Sequence, residues 1–189
     1  MKITKTHYGL ISLAAIILVI AGVSMAYLGK SKQENPIIEA KEYTALPLPK
    51  QDNTMLRIQV ADNSACKSSG LLLSEADLLS LPQQKFTTSH QWTTKPETFQ
   101  GPLLSDVVSL ACNNASSIVL KALNDYSITV DLNIAKGYSP IVAYSIDNKK
   151  LEIRDKGPLW IMVDLEANNV KNKKLNSFLI WQLSDIIIL

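Results

Sequence analysis

The chain reads as an α+β protein, predominantly β, with one N-terminal apolar helix long enough to cross a membrane. Three observations carry this reading. Tyr8 to Gly29 runs for 22 positions without a charge. Beyond Met55, short stretches rich in Ile, Val, Leu and Thr recur with strand-like alternation. Helix start signals occur in only two places there, at Ser74 and at Gly101-Pro102.

At 1.5 Å per residue the uncharged run reaches about 33 Å as a helix, enough for a hydrocarbon core about 30 Å thick. Lys2 and Lys5 precede it and favour a cytoplasmic N-terminus. Lys30 and Lys32 lie just past it and oppose that bias. Ser24-Met25-Ala26 also suits a signal peptidase, so an uncleaved anchor and a cleaved export signal both stand. Either one exports the remainder of the chain. The expected organisation is a cytoplasmic N-terminus over 1–7, an anchor or signal over 8–29, a linker over 30–54 and one domain over 55–189. The expected location is the inner membrane with the domain on the periplasmic side, or the periplasm itself if the segment is cleaved. Residues 30–54 mix charges with Pro36, Pro47 and Pro49, show no period, and read as an extended spacer.

Within the domain, Leu56, Ile58 and Val60 alternate with Arg57 and Gln59 as a half-buried strand. Ser74 is an N-cap for Glu75-Ala76-Asp77-Leu78-Leu79, and Pro82 stops that helix. Gln84 to Ser89 is Thr-rich and strand-like. Gly101-Pro102 opens a second helix with Leu103, Leu104, Val107, Val108 and Ala111 as its apolar stripe. Strands are expected at Ile118–Leu123, Tyr126–Leu132, Ile141–Ile146 and Leu151–Arg154, with Asp147-Asn148 as a hairpin turn. Pro158–Leu165 is an apolar run, and Ser177–Leu189 closes the chain as a long strand.

From Met55 onward there are 13 Lys+Arg and 13 Asp+Glu. A neutral domain with no basic run offers no electrostatic footprint for nucleic acid, and no nucleic-acid partner is expected. Lys171, Lys173 and Lys174 lie among asparagines and read as a solvated loop. Cys66 and Cys112 fit two states equally well. One is a disulfide closing a loop of about 46 residues and contributing about 2–4 kcal/mol; the other is a pair of buried thiols. Two cysteines and one domain histidine, His90, are too few for a closed zinc shell, so no metal ligand is assigned. No nucleophile elbow, phosphate loop or His-Glu-x-x-His helix is present, and no catalytic residue is assigned.

Several segments in consistent order resemble a known family. Thr87-Thr88-Ser89-His90-Gln91-Trp92 followed by Phe99-Gln100-Gly101-Pro102-Leu103-Leu104-Ser105-Asp106 looks like the strand–loop–helix opening of the oxidoreductase molybdopterin-binding domain, the catalytic-domain fold of the sulfite oxidase family. Leu123-Asn124-Asp125-Tyr126 resembles its Asp-x-Tyr turn. Ile146 to Leu151 with Lys156-Gly157-Pro158-Leu159 resembles its Gly-x-Pro stretch, and Phe178 to Leu183 its final Trp-containing strand. The resemblance covers Met55 to Leu189 and is nearest to the short, single-domain bacterial branch. It implies a sulfite-oxidase-like fold of mixed strands with short helices, and molybdopterin as the cofactor to test.

The departures bear on chemistry. The family's molybdenum-ligating cysteine falls here near Thr87 or Thr88, and an alcohol is a poor substitute for a soft thiolate. Neither Cys66 nor Cys112 lies at that point. Lys156 and Trp160 stand where the family places His before its late glycine and Arg after its proline; an indole cannot donate like a guanidinium. The candidate pocket is Thr88, His90, Trp92, Asn124, Asp125, Tyr126, Arg154, Lys156 and Gly157. His90 is a candidate acid/base or anion contact, and Trp92 a stacking platform. Arg154, Lys156 and Gly157 form a candidate anion clamp. Each of these residues also has an ordinary reading, as packing, turn or solvated loop. Two functions are compatible with this set. One is a membrane-tethered binding or sensing module for a small anionic or heterocyclic ligand, with a membrane signalling partner. The alternative is an oxidoreductase, or a subunit of one, that binds molybdopterin and transfers electrons in the periplasm.

Overall fold

The computed structural model describes residues 35–39, 44, 52–66, 69–168 and 173–189. The 8–29 segment, its flanks, most of 30–54 and Lys171 lie outside the described residues. Twelve strands are described: β1 (Ile37–Ile38), β2 (Leu56–Val60), β3 (Leu71–Leu73), β4 (Gln83–Thr88), β5 (Glu97–Pro102), β6 (Ser117–Ala122), β7 (Ser127–Asp131), β8 (Ile141–Ala143), β9 (Ser145–Ile146), β10 (Lys149–Lys150), β11 (Trp160–Met162) and β12 (Leu183–Ile188). Three short helices join them: α1 (Glu75–Ser80), α2 (Leu104–Ser109) and α3 (Leu132–Ala135). The architecture is therefore α+β and mostly sheet.

The strands form a six-stranded sheet in the order β1-β7-β6-β12-β2-β3, a four-stranded sheet in the order β10-β9-β5-β4 and a β11-β8 pair. The last strand sits at the centre of the large sheet, antiparallel to β6 and parallel to β2. That position explains the apolar run at the C-terminus. Ile186 and Ile188 enter the main core, while Ile187 and Leu189 pack with Ala61 and Val119 in a second cluster.

Several elements obey the local signals. Ser74 caps α1 reciprocally: its hydroxyl accepts from Asp77 N at 3.3 Å, and its own N–H donates to Asp77 Oδ2 at 2.8 Å. Asp147 and Asn148 both adopt positive φ in the turn between β9 and β10.

Others differ. Gly101-Pro102 ends β5 instead of opening a helix, and α2 begins two residues later without a side-chain cap. Gly101 is needed there for contact: a Cβ would fall 2.6 Å from the Val142 carbonyl carbon of β8. Ile141–Ile146 is not one strand. It changes sheets at Tyr144, so β8 pairs with β11 and β9 with β5. Leu151–Arg154 leaves the sheet for a 3-10 turn over Ile153–Asp155. The expected closing strand starts as a 3-10 turn, Lys173–Phe178, and becomes extended only at Leu183. Part of the expected spacer joins the sheet, since Ile37 and Ile38 pair with Val130 and Thr129 of β7.

Cys66, after β2, and Cys112, just past α2, are joined in a disulfide with Cα atoms 5.8 Å apart. On the face of β12 opposite the main core, Asp185 is 1% exposed. It takes both Nε and Nη2 of Arg57, at 2.6 and 2.7 Å, together with Gln59 Nε2 at 2.9 Å and Ser184 Oγ at 2.7 Å. Burial alone would raise its pKa. The hydrogen bonds from Arg57 and Ser184, the Arg57 charge and the Gln59 amide outweigh burial and hold it below 3.8. The carboxylate thus contributes stability that is present above the unfolded value and lost as pH falls through the lower folded one. Asp185→Asn is expected to cost about 2–3 kcal/mol in urea unfolding at neutral pH, reduced from the fully buried case because Arg57 keeps some exposure. The same variant is expected to flatten the acid side of the stability profile below 3.8; an unchanged acid limb would contradict this.

Candidate functional site

Strand β4 carries Thr88 into the core, where its side chain is fully buried. The Thr88 hydroxyl accepts a hydrogen bond from Leu165 N at 3.0 Å. The next residue, Ser89, binds Glu166 Oε1 through both its N–H and its hydroxyl, at 3.2 and 2.9 Å. The end of β4 is thereby fastened to the 165–166 segment.

The β4–β5 connection folds back so that His90 meets Glu97, the first residue of β5, with Nε2 and Oε2 2.8 Å apart. Trp92 N donates to His90 Nδ1 at 3.3 Å. A ring that accepts at Nδ1 carries its proton on Nε2, so the imidazole is neutral and donates to Glu97. Burial lowers its pKa below the ordinary 6.5; the Glu97 hydrogen bond and charge pull upward, and the Lys156 charge adds to the lowering. His90 is wrapped by Trp92, Phe99 and Trp160, with ring centroids 5.6, 5.7 and 5.2 Å away.

The chain has three tryptophans, and all of them converge here. Trp92 comes from the β4–β5 loop, Trp160 from β11 and Trp181 from the segment before β12. Trp160 and Trp181 form an isolated bridge. Trp92 and Trp181 stand nearly perpendicular, at 84°, with centroids 4.9 Å apart. Lys156 Nζ lies 4.8 Å from the Trp160 centroid, 5.8 Å from Trp92 and 5.9 Å from Trp181. A cation at this range is worth about 0.5–2 kcal/mol per favourable contact. The backbone aims the lysine: Lys156 has φ of 70°, and its carbonyl accepts from Gln182 N at 3.0 Å. Gly157 packs so closely that a Cβ would fall 2.6 Å from the Leu151 carbonyl carbon.

Two hollows flank this cluster. The first, about 380 Å³, is lined by Gln91, Trp92, Asn124, Tyr126, Asn176 and Trp181 among others. The second, about 600 Å³, is lined by Glu97, Lys149, Glu152, Arg154, Lys156 and Trp160 among others. The structure thus brings Trp92, Asn124 and Tyr126 together in one cleft, and Arg154 and Lys156 into the other hollow. Thr88 and His90 lie behind the indoles, in the core. Asp125 sits at the Asn124–Tyr126 turn with φ of 64° and pairs with Lys121 at 2.8 Å. Arg154, its side chain 77% exposed, contacts Glu152 at 2.9 Å and Asp155 at 3.3 Å. Its guanidinium is engaged with neighbouring carboxylates, and the ammonium of Lys156 is directed at the indoles.

The residues present do not fit a molybdopterin centre. The buried hydroxyl of Thr88 is used by Leu165, both cysteines are spent in a disulfide, and no cluster of three metal-ligating side chains occurs among the described residues. Lys156, which the resemblance sets beside the cofactor, is turned onto the indoles, and the Trp160 N–H is donated to Leu179 O at 3.0 Å. Sequence reasoning missed Glu97, Gln91, Asn176 and the roles of Trp160 and Trp181. The one available signal was the scarcity of tryptophan.

No family model and no curated protein matches the chain. Among solved structures, the chain is similar to the sulfane dehydrogenase SoxCD from Paracoccus pantotrophus, with a TM-score of 0.52 at 14% identity. The match covers 76% of this chain and 40% of that one. The likeness is one of fold, and this chain spans less than half the length of the protein it matches.

A buried histidine held neutral makes stability depend on pH. Because the folded pKa lies below the unfolded 6.5, the unfolded state binds more protons as pH falls past that value, and stability falls with it. His90→Gln is expected to remove this slope on the acid side of the ordinary imidazole range in urea midpoints. An identical slope in the variant would show that His90 is not the group responsible.

Proposed function

We propose that this domain is a small-ligand-binding module on a molybdopterin-enzyme fold, exported and tethered by its N-terminal segment, and that it does not perform molybdenum chemistry. The observation that carries the reading is Thr88. The resemblance places the metal-ligating thiolate near Thr87 or Thr88; Thr88 presents a buried hydroxyl already bonded to Leu165 N, and the Thr87 hydroxyl is paired with that of Thr98. The likeness to a sulfane dehydrogenase supports the scaffold. The cleft beside Trp92, Tyr126 and Trp181 supports a ligand with a flat face, since indole and phenol rings are large apolar platforms with polar tips. The 22-residue uncharged run and the disulfide support export to an oxidising compartment. A ligand-bound state read by a membrane partner is the role that such a tethered module serves.

The test is made on the full chain purified from cells replete in molybdenum. Molybdenum at background level is expected, together with a rise in melting temperature for at least one class in a screen of heterocycles and anions. At 100-fold excess over Kd a ligand adds about 2.7 kcal/mol, which corresponds to roughly 5–10 °C for a domain of this size. Stoichiometric molybdenum with redox turnover would overturn the proposal in favour of an oxidoreductase. Absence of any shift across the screen would equally overturn it.

A further inference from the structure

The cleft beside Trp92 and Trp181 has a polar edge whose chemistry narrows the ligand. Asn176 Nδ2 donates to Gln91 Oε1 at 3.0 Å, which sets the orientation of both amides. Each amide is then satisfied on one side only. Gln91 keeps Nε2 as a donor and Asn176 keeps Oδ1 as an acceptor, with no other partner among the described residues. Asn124 is arranged similarly: its Oδ1 accepts from Tyr126 N at 3.2 Å and its Nδ2 remains a donor. All three line the same cleft.

A donor beside an acceptor complements a ring carbonyl beside a ring N–H, the edge of a lactam. The carbonyl would accept from Gln91 Nε2 and the ring N–H would donate to Asn176 Oδ1. The rest of the lining is Trp92, Trp181, Tyr126, Ala122, Leu179, Ile180 and the hydroxyl of Ser177, with no Asp, Glu, Lys, Arg or His. The Lys156 ammonium, 5.8 and 5.9 Å from the Trp92 and Trp181 centroids, is directed at those rings and is not part of the lining. A charged ligand would therefore surrender its hydration there without a direct ionic partner. The two indoles make a corner, at 84°, that offers a face to a flat ring, and Tyr126 is 48% exposed at the mouth. The cleft volume, about 380 Å³, lies within the range of small-molecule sites, about 300–1,000 Å³.

We infer that this cleft selects an uncharged, planar lactam heterocycle, its edge read by Gln91 and Asn176 and its face against the Trp92–Trp181 corner. The inference rests on the ligand-binding reading above and specifies the ligand for the same site. It separates a neutral heterocycle from a phosphorylated or otherwise anionic one, whose charge this lining does not answer.

Calorimetric titration of the full chain with four probes tests it: lumazine at a pH where it is neutral, 1,3-dimethyllumazine, guanosine monophosphate and inorganic phosphate. Lumazine is expected to bind. The dimethyl analogue has the same ring but no ring N–H, and is expected to bind about 10-fold more weakly, the loss of one neutral hydrogen bond. Guanosine monophosphate and phosphate are expected not to compete. Asn176→Leu and Gln91→Leu are each expected to weaken lumazine about 10-fold, and Asn176→Leu, which removes the acceptor for the ring N–H, to abolish the discrimination against the methylated ring. Melting temperatures within a few degrees of the parent protein, roughly the shift of 1 kcal/mol, would show that the variants are folded. Equal affinity for lumazine and its dimethyl analogue would overturn the edge reading, and tighter binding of the phosphorylated probe would overturn the neutral one; ligand binding itself would survive both. No heat from these probes, with a melting-temperature shift for some other class, would overturn the inference alone. No response to any class would overturn it together with the ligand-binding reading.

Discussion

Lys156 holds its ammonium within 6 Å of three indole rings that arrive from residues 92, 160 and 181, and the rest of the site is arranged around that contact. The lysine carbonyl ties the loop to Gln182, beside Trp181, while its side chain covers Trp160. One residue therefore joins the β4–β5 loop, β11 and the approach to β12. The indoles it gathers form the wall between the two hollows. The same positive charge disfavours protonation of His90 behind them, so the core histidine and the surface lysine are coupled through a few ångströms of aromatic packing.

This arrangement changes what the scaffold can do. A redox metal centre requires soft ligands, open coordination positions and cations for the cofactor's phosphate. Here the chain places an engaged threonine hydroxyl, a fully buried indole and a lysine turned onto aromatic rings. What remains is an aromatic cleft with amide groups at its edge. Such a lining offers shape and a hydrogen-bond pattern to a bound molecule, which is the basis of the ligand-binding proposal.

Much of the fold was legible in local pattern. The alternation at Leu56–Val60 and the Ser74 N-cap each arise from neighbours in sequence, and each appears as read. The failures share a different cause. Glu97–Pro102 has no apolar period, because it is held between β4 and β9 and its glycine is chosen for contact with β8. Ile141–Ile146 reads as one strand because nothing local marks the change of partner at Tyr144. In the site, Thr88, Trp92 and Lys156 were identifiable from motif order. Their relation was not: Lys156 lies 64 residues after Trp92 and 25 before Trp181, and a cation–π contact leaves no mark at that spacing. The Gln91–Asn176 amide pair was invisible for the same reason, spanning 85 residues.

Three tryptophans give three indole N–H resonances, which makes NMR the most direct test of a ligand held against Trp92 and Trp181 and not against the buried Trp160. On titration of the labelled protein with a neutral lactam heterocycle, the Trp92 and Trp181 indole signals should move together. The Trp160 signal, its N–H donated to Leu179 O, should stay nearly fixed. Movement confined to Trp160, or no movement of Trp92 and Trp181 while the ligand binds, would contradict the account.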